Sequence, residues 1–176
     1  KGNVLAYMSG GRSLLTKPTW YDRQGKALST VGDPGIYYKL AISPDGGGAA
    51  VGNAFYTGGS DIWLFDFRRG INRKFTLGNG NSSRPVWSPD GKRIIFNNDR
   101  ESVHNLYQKE VSGAKEEELL LKSGETKIPT SWSSDGRYLL YTVLDPKTKG
   151  DLWVLPMEKG AKPMPLLRRE FNEGDG

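Results

Sequence analysis

Short apolar segments, separated by turn residues, run along the whole chain. Three of them end in the same turn, which reads Ser43-Pro44-Asp45-Gly46, then Ser88-Pro89-Asp90-Gly91, then Ser133-Ser134-Asp135-Gly136, at intervals of 45 residues. An apolar residue precedes each serine, and a large apolar residue follows it eight positions later. A repeat that keeps both its turn and its apolar positions predicts a chain built from repeated supersecondary units.

A second landmark follows each turn. It reads Asp61-Ile62-Trp63-Leu64, Asn105-Leu106-Tyr107-Gln108 and Asp151-Leu152-Trp153-Val154, and Trp20-Tyr21-Asp22 occupies the same place near the N-terminus. The pattern predicts three complete units and a first unit that lacks its first segment. The whole chain, 1–176, is then a single domain or a fragment of one, with units of about 1–33, 34–78, 79–123 and 124–168 and a tail at 169–176.

Each unit is predicted to contain four short strands. The predicted ranges are about 39–43, 84–88 and 129–133 for strand one; 48–52, 93–97 and 138–142 for strand two; 61–66, 105–109 and 151–155 for strand three; and 72–76, 117–121 and 164–168 for strand four. Pro85 and Pro129 fall in strand one. Proline cannot donate a ladder hydrogen bond, so strand one should lie at a sheet edge.

Strand two is apolar on both faces, as in Ile94-Ile95-Phe96 and Leu139-Leu140-Tyr141. Both faces must then be covered, as in small sheets stacked face to face around a channel. We therefore predict an all-β fold, a β-propeller of four-stranded blades with about three complete blades and a partial first blade. In one unit Gly47-Gly48 replace Lys92-Arg93 and Arg137-Tyr138, which predicts a looser start of that strand.

The amino-acid composition limits the kinds of catalytic and binding site that the chain can contain. The 23 Gly and 10 Pro argue against a helical bundle, and the absence of Cys excludes disulfides, thiol catalysis and thiolate metal sites. A single His leaves little for a histidine metal cluster or a Ser-His-Asp enzyme. The net charge of +5 comes without a basic run, and the apolar runs are too short to cross a bilayer. We therefore predict no catalytic, cofactor or metal site, no nucleic-acid partner and no membrane insertion.

The stretch at 86–96, which reads Val-Trp-Ser-Pro-Asp-Gly-Lys-Arg-Ile-Ile-Phe, and the following Asn105-Leu106-Tyr107 resemble the TolB-type, WD-like β-propeller repeat. The resemblance covers essentially the whole chain. It is strongest, through 61–66 and 151–156, to the propeller part of bacterial extracytoplasmic sensor and serine/threonine kinase proteins. It implies a bacterial, periplasmic or extracytoplasmic protein whose full-length relatives have six or more blades.

Three functions are compatible with this resemblance. The first is a non-catalytic module, a scaffold for protein–protein interaction or sensing. The second is an accessory propeller of a prolyl-oligopeptidase-like or tricorn-like peptidase, although the chain carries no nucleophile elbow of its own. The third is a propeller-type polysaccharide lyase or glycosidase that uses Asp99, Glu101 or Asp145, for which paired carboxylates would need a suitable separation.

Most residues that suggest chemistry recur at fixed repeat positions, which favours a structural role. The aromatic landmarks are expected in the core between blades, and Asp45, Asp90 and Asp135 in turn hydrogen bonds. His104, near Asp99, is expected in a solvated loop. Glu116-Glu117-Glu118 is expected to form a charged outer edge.

The surface expected to bind a partner follows from topology. Connections from strand four to the next strand one, and from strand two to strand three, lie at the same end of a propeller and surround the channel mouth. Loops on a rigid scaffold carry function, and Tyr and Arg are favoured at interfaces. An anionic peptide or protein partner is therefore predicted to bind at Tyr37, Tyr38, Lys39, Tyr56, Arg84, Arg100, His104, Lys127 and Lys147.

Three arrangements would close the propeller ring. The chain is a piece of a domain with six to eight blades, or two chains form a homodimer that completes a larger ring, or the tail at 169–176 supplies a missing strand and closes a four-bladed ring. We favour the first.

Overall fold

The computed structural model describes the backbone of residues 5–9 and all atoms of residues 15–54 and 59–169. In these ranges the chain forms fifteen β-strands and no helix. The strands make four antiparallel sheets, and every sheet uses only strands that are consecutive in the chain. The predicted all-β fold, with three complete four-stranded blades and an incomplete first blade, is confirmed.

The sheets are named blades 1 to 4 in chain order. Blade 1 has three strands, β1 (Leu5–Ser9), β2 (Lys17–Tyr21) and β3 (Ala27–Thr30). Blade 2 contains β4 (Ile36–Ile42), β5 (Gly48–Ala54), β6 (Ser60–Asp66) and β7 (Ile71–Lys74). Blade 3 contains β8 (Ser82–Trp87), β9 (Arg93–Glu101), β10 (Val103–Glu110) and β11 (Glu118–Leu121). Blade 4 contains β12 (Thr126–Trp132), β13 (Tyr138–Asp145), β14 (Lys149–Pro156) and β15 (Met164–Leu167).

The repeated turn has the same geometry in all three complete blades. The Ser43, Ser88 and Ser133 hydroxyls each donate to the aspartate two residues later, at 2.6 Å. The glycine that follows the aspartate has a φ of 69°, 68° or 77°, a left-handed conformation that favours glycine. Each turn aspartate therefore stabilises its turn through Oδ1, as the repeat predicts.

Three apolar clusters hold neighbouring blades together. The cluster between blades 1 and 2 includes Tyr37 and Phe65, and the one between blades 2 and 3 includes Ile62 and Phe96. The third, between blades 3 and 4, includes Tyr141. Strand two of each complete blade is buried on both faces, and the repeated aromatic residues pack against these clusters.

The inner strands begin two or three residues earlier than predicted, at positions 36, 82 and 126. The extra residues pair with the extended ends of β5, β9 and β13, for example Ser82 with Asn98. Each inner strand then contains a register shift, which lies between Ser83 and Val86 in β8. Pro85 and Pro129 lie in these edge strands, as predicted.

Three local predictions are wrong. His104 and the Asp99–Glu101 stretch lie in strands, because β9 and β10 continue to a tight turn at Ser102. The Glu117 side chain is 4% exposed, because it reaches under the neighbouring blade connection. The start of β5 is closely packed and not loose, since a Cβ on Gly48 would lie 2.5 Å from the Phe65 carbonyl oxygen.

Candidate partner-binding site at the mouth end

The blades have two ends that differ in their connections. One end carries the turns from strand two to strand three and the connections from one blade to the next. We call it the mouth end. The opposite end carries the Ser-x-Asp-Gly turns and the turns from strand three to strand four. The predicted partner-binding residues lie toward the mouth end or on the inner strands, except for Tyr56, which lies outside the described residues.

Tyr38, Lys39 and Arg84 lie on neighbouring inner strands. Tyr38 is 39% exposed, and its hydroxyl donates to the Ser82 carbonyl oxygen of blade 3 at 3.1 Å. Lys39 is exposed and Arg84 is half-buried. The two inner strands, β4 and β8, pack against each other, so Tyr38 and Lys39 lie on the strand beside the one that carries Arg84.

The backbone of Arg84 is in an uncommon conformation. Its φ is 56°, in the left-handed region that a residue with a Cβ rarely adopts, and it lies at the register shift of β8. In the described ranges two other non-glycine residues share this property, Ser102 at 75° and Lys149 at 71°. Ser102 lies in the turn between β9 and β10, and Lys149 is the first residue of β14, so both are at the mouth end. Left-handed positions in the turns of the opposite end are occupied by glycine.

Tyr37 and Lys127 are buried and support the blades. The Tyr37 ring packs edge-on against Phe65 with a centroid distance of 5.8 Å. Lys127 is 2% exposed, and its ammonium donates to Asn105 Oδ1 at 3.0 Å and to the Glu125 carbonyl at 2.7 Å. Burial lowers the pKa of Lys127. These contacts fix blade 4 to blade 3.

Arg100 takes part in an ion-pair cluster of blade 3 that faces the connection from blade 2. Its guanidinium pairs with Glu117 and lies 4.2 Å from the Tyr107 ring centroid. Glu117 also accepts the backbone N–H of Leu77 at 2.8 Å and lies 3.9 Å from the Lys109 ammonium. Burial raises the pKa of Glu117, but the Arg100 and backbone hydrogen bonds outweigh it, so the pKa is lowered overall. We call Arg100, Lys109 and Glu117 the charge cluster.

His104 and Lys147 lie near the rim. His104 Nε2 is 4.0 Å from Asp99 Oδ2, and Lys147 is exposed in the turn between β13 and β14. Burial raises the pKa of Asp99, but the Asn81 side chain and backbone N–H, at 2.8 and 2.6 Å, hold it below its ordinary value. Asp99 therefore anchors the connection into blade 3.

The carboxylates considered for glycoside chemistry all have local partners. Asp99 accepts a hydrogen bond from the Asn81 backbone N–H. Glu101 forms an ion pair with Lys122 at 2.7 Å, and Asp145 forms one with Arg168 at 3.2 Å. Within the described part of the chain, no group of three or more His, Cys, Asp or Glu could hold a metal ion. No helix in the described ranges is long and apolar enough to cross a membrane.

The structure thus brings Tyr38, Lys39 and Arg84 together on the inner strands, with His104 and Lys147 nearer the rim. The sequence did not reveal the left-handed Arg84 or the buried Glu117. A bulge in a strand leaves no pattern in the local sequence, and neither does a side chain that reaches across an interface between blades. The proline next to Arg84 was the one available signal, because it marks an irregular edge strand.

Comparison with known proteins agrees with the fold. The TolB beta propeller domain family matches residues 5–171. YuxL, an uncharacterized peptidase of Bacillus subtilis (strain 168), is 34% identical over 90 residues, which are 48% of this chain and 13% of YuxL.

Two solved structures share the fold at low identity. TolB from Acinetobacter baumannii superposes with a TM-score of 0.78 and 18% identity over 97% of this chain and 42% of that protein. A structure from an analysis of two prolyl endopeptidases gives a TM-score of 0.70 and 15% identity over 95% of this chain and 28% of that one. The chain spans less than half the length of each of these three proteins. The family match, the repeat and the four antiparallel sheets agree, and the chain belongs to the TolB beta propeller domain family.

Proposed function

We propose that the chain is a non-catalytic propeller module that binds an acidic segment of a protein or peptide partner at the mouth end. Tyr38, Lys39 and Arg84 form the contact surface. The observation that carries the proposal is the left-handed backbone of Arg84. Such strain persists where the surrounding structure imposes it, and it clusters at functional sites.

The contact chemistry suits a carboxylate-rich ligand. Arg84 offers a fork of N–H donors for a carboxylate, and Lys39 adds a mobile ammonium. Tyr38 adds a rigid aromatic surface of the kind favoured at interfaces. His104 and Lys147 lie nearer the rim, where they would extend the contact.

The test is binding of a fluorescein-labelled glutamate-rich peptide, followed by fluorescence anisotropy. Arg84→Gly removes the guanidinium and relieves the left-handed backbone, so the variant stays folded. We expect Arg84→Gly and Lys39→Ala each to weaken binding about three- to fivefold, as for an exposed ion pair. Arg68→Ala, an exposed arginine at the opposite end, is the matched control. Equal losses in Arg68→Ala and Arg84→Gly would disprove the mouth-end site.

A second role for the longer protein is favoured by the relatives. YuxL is called a peptidase, and prolyl endopeptidases contain a similarly folded region. In that case this chain is the accessory propeller of a peptidase and controls access of peptides to another domain. A longer protein that carries this chain would then hydrolyse peptidyl p-nitroanilides. Failure to cleave a panel of such substrates would remove this second role and leave the binding module.

An extracytoplasmic location in a bacterium agrees with family membership. External protease should then degrade the protein in spheroplasts, whereas a cytoplasmic marker stays intact. Protection of the protein to the same degree as the marker would contradict this location.

Further repeats of a longer polypeptide are the proposed means of ring closure. Blade 4 exposes Tyr138 by 41% and Leu144 by 44%. Such apolar surface is normally covered by the next blade. Sedimentation velocity of this chain should give a monomer. A stable dimer would instead support a ring shared by two copies.

A further inference from the structure

A cleft of about 660 Å³ opens between blades 2 and 3 at the opposite end. Its apolar lining includes Leu64, Ile71, Val111 and the half-buried Trp87. The Trp87 indole donates to the Ala41 carbonyl oxygen at 2.9 Å, which fixes its ring in place. The cleft is far from the mouth end, so it is independent of the surface described above.

The equivalent cleft, between blades 3 and 4, is smaller, about 390 Å³, and arginines of the chain itself lie in it. The guanidinium of Arg93 lies over the ring of Trp132, with 5.1 Å between its central carbon and the ring centroid. Arg137 Nε donates to Asp135 Oδ2 at 2.6 Å. Trp132 and Asp135 are the repeat equivalents of Trp87 and Asp90. Each of these two groups therefore has a cation as its partner.

Blade 2 lacks both cations. Gly47 stands at the position of Arg137, and Gly48 stands at the position of Arg93. A side chain at Gly48 would meet the Phe65 carbonyl at 2.5 Å, so this backbone packs too closely to carry one. The glycine pair therefore leaves the ring of Trp87 without the guanidinium that covers Trp132, and it opens the cleft.

The rim of the cleft carries more negative than positive charge. Asp45, Asp66 and Asp90 line it, against Arg69 and Arg73. Hydrogen bonds within the described residues use only Oδ1 of Asp45 and of Asp90, which leaves Oδ2 of each carboxylate for a further donor.

The two arginines of the cleft have partners of their own. Arg69 lies 3.8 Å from Asp66, and Arg73 donates to the Val111 carbonyl. The hydrogen bonds of Ser43 and Ser88 lower the pKa values of Asp45 and Asp90, so both carboxylates stay ionised at neutral pH.

We propose that this cleft binds an arginine side chain of a partner peptide, which lies on the Trp87 ring and pairs with Asp45. The internal arginines of blades 3 and 4 define the chemistry, because they show what these repeat positions accept. A guanidinium both stacks on an indole and forks to a carboxylate, which an ammonium does less well.

The test uses the whole chain and the peptide acetyl-Gly-Arg-Gly-Arg-Gly-amide, titrated while the indole N–H resonances are followed by NMR. We expect the Trp87 resonance to shift, and a peptide with citrulline in place of arginine to bind at least about tenfold more weakly. Trp87→Leu should weaken binding about tenfold, whereas Trp132→Leu, the same change at the tryptophan that Arg93 covers, should leave it unchanged.

If Trp87→Leu does not fold, a second variant tests the proposed arginine site. Gly47→Arg introduces a cation at the position that Arg137 occupies in the turn of blade 4. The new Cβ would meet only the end of the Asp45 carboxylate. This variant should compete with the peptide and weaken binding about tenfold, whereas Arg84→Gly should have no effect. Equal binding of the citrulline peptide, or unchanged binding in Gly47→Arg, would overturn the proposal. Loss in Arg84→Gly would assign the peptide to the mouth end instead.

Discussion

The interface between blades 2 and 3 and the interface between blades 3 and 4 differ at both ends. At the mouth end, the first is tied by two hydrogen bonds of the charge cluster, from the Leu77 N–H to Glu117 and from Lys109 to the Phe75 carbonyl oxygen. The second is tied by the bond of Lys127 to Asn105. At the opposite end, the first has a cleft of about 660 Å³ over Trp87, and the second has a cleft of about 390 Å³ in which Arg93 lies over Trp132. The same repeat thus builds one interface with a larger cleft over an uncovered tryptophan, and one with a smaller cleft in which an arginine lies over the tryptophan.

The largest effect is expected from Glu117→Gln, which breaks the interface between blades 2 and 3. The change leaves Arg100 and Lys109 without their carboxylate, and uncompensated buried charges are costly, so we expect a loss of about 3–5 kcal/mol in the free energy of unfolding. Urea unfolding measures it. Glu116→Gln, an exposed neighbour, should change stability by less than about 0.5 kcal/mol.

The pH dependence sharpens this prediction. A carboxylate with a lowered pKa stabilises the fold above its ordinary pKa and loses that contribution as the pH falls through the lowered value. The difference between Glu117→Gln and the parent should therefore shrink below about pH 4.5, the ordinary value of the group. A difference that stays constant with pH would mean that packing, and not charge, stabilises the interface.

A smaller effect is expected from Arg93→Ala, which makes the second interface resemble the first. It removes the guanidinium over Trp132 and its 3.2 Å bond to Gln108, at a cost of about 1 kcal/mol. The Trp132 indole should become a new site for the arginine peptide, seen as a second shifting NMR resonance. Arg69→Ala, a change in the open cleft, should create no such site. If neither variant gains a site, the arginine over Trp132 is not what distinguishes the interfaces.

The smallest effect concerns the turns. The Ser133 hydroxyl and then the Arg137 contacts lower the pKa of Asp135 to about 2. Ser133→Ala should move its titration midpoint toward 3.8, and Arg137→Gly, which copies the turn of blade 2, should move it less. Carbon-13 NMR of the carboxyl group measures both. A larger shift in Arg137→Gly would mean that the salt bridge, and not the serine, controls the turn.

The sequence predicted the features that depend on local pattern. The turn at Ser88 and the two-sided burial of Ile94-Ile95-Phe96 both follow from the repeat, and so does the edge position of Pro85. Features that depend on contact between blades were not predictable in the same way. Lys127 looked like a surface cation until its Asn105 partner was placed, and Glu117 looked like part of an acidic edge.

The candidate sites also combine features that the sequence predicts with features that depend on the three-dimensional structure. Topology alone placed Tyr38, Lys39 and Arg84 in a larger set of nine residues at the channel mouth. The left-handed backbone of Arg84 depends on the register shift of β8, which the sequence does not specify. The glycine pair Gly47-Gly48 was visible as an exception to the repeat. Its consequence, an uncovered Trp87 ring, depends on the contact of Arg93 with Trp132, which lies between two blades.

Every sheet closes its ladder with strands from its own unit, so neighbouring blades are joined mainly through side chains. A gene duplication that adds one unit of 45 residues would insert a finished sheet and leave the ladders on either side intact. Repeat number is therefore a quantity that such a sequence can change in one step. Ring size can vary among relatives while the individual blade stays the same.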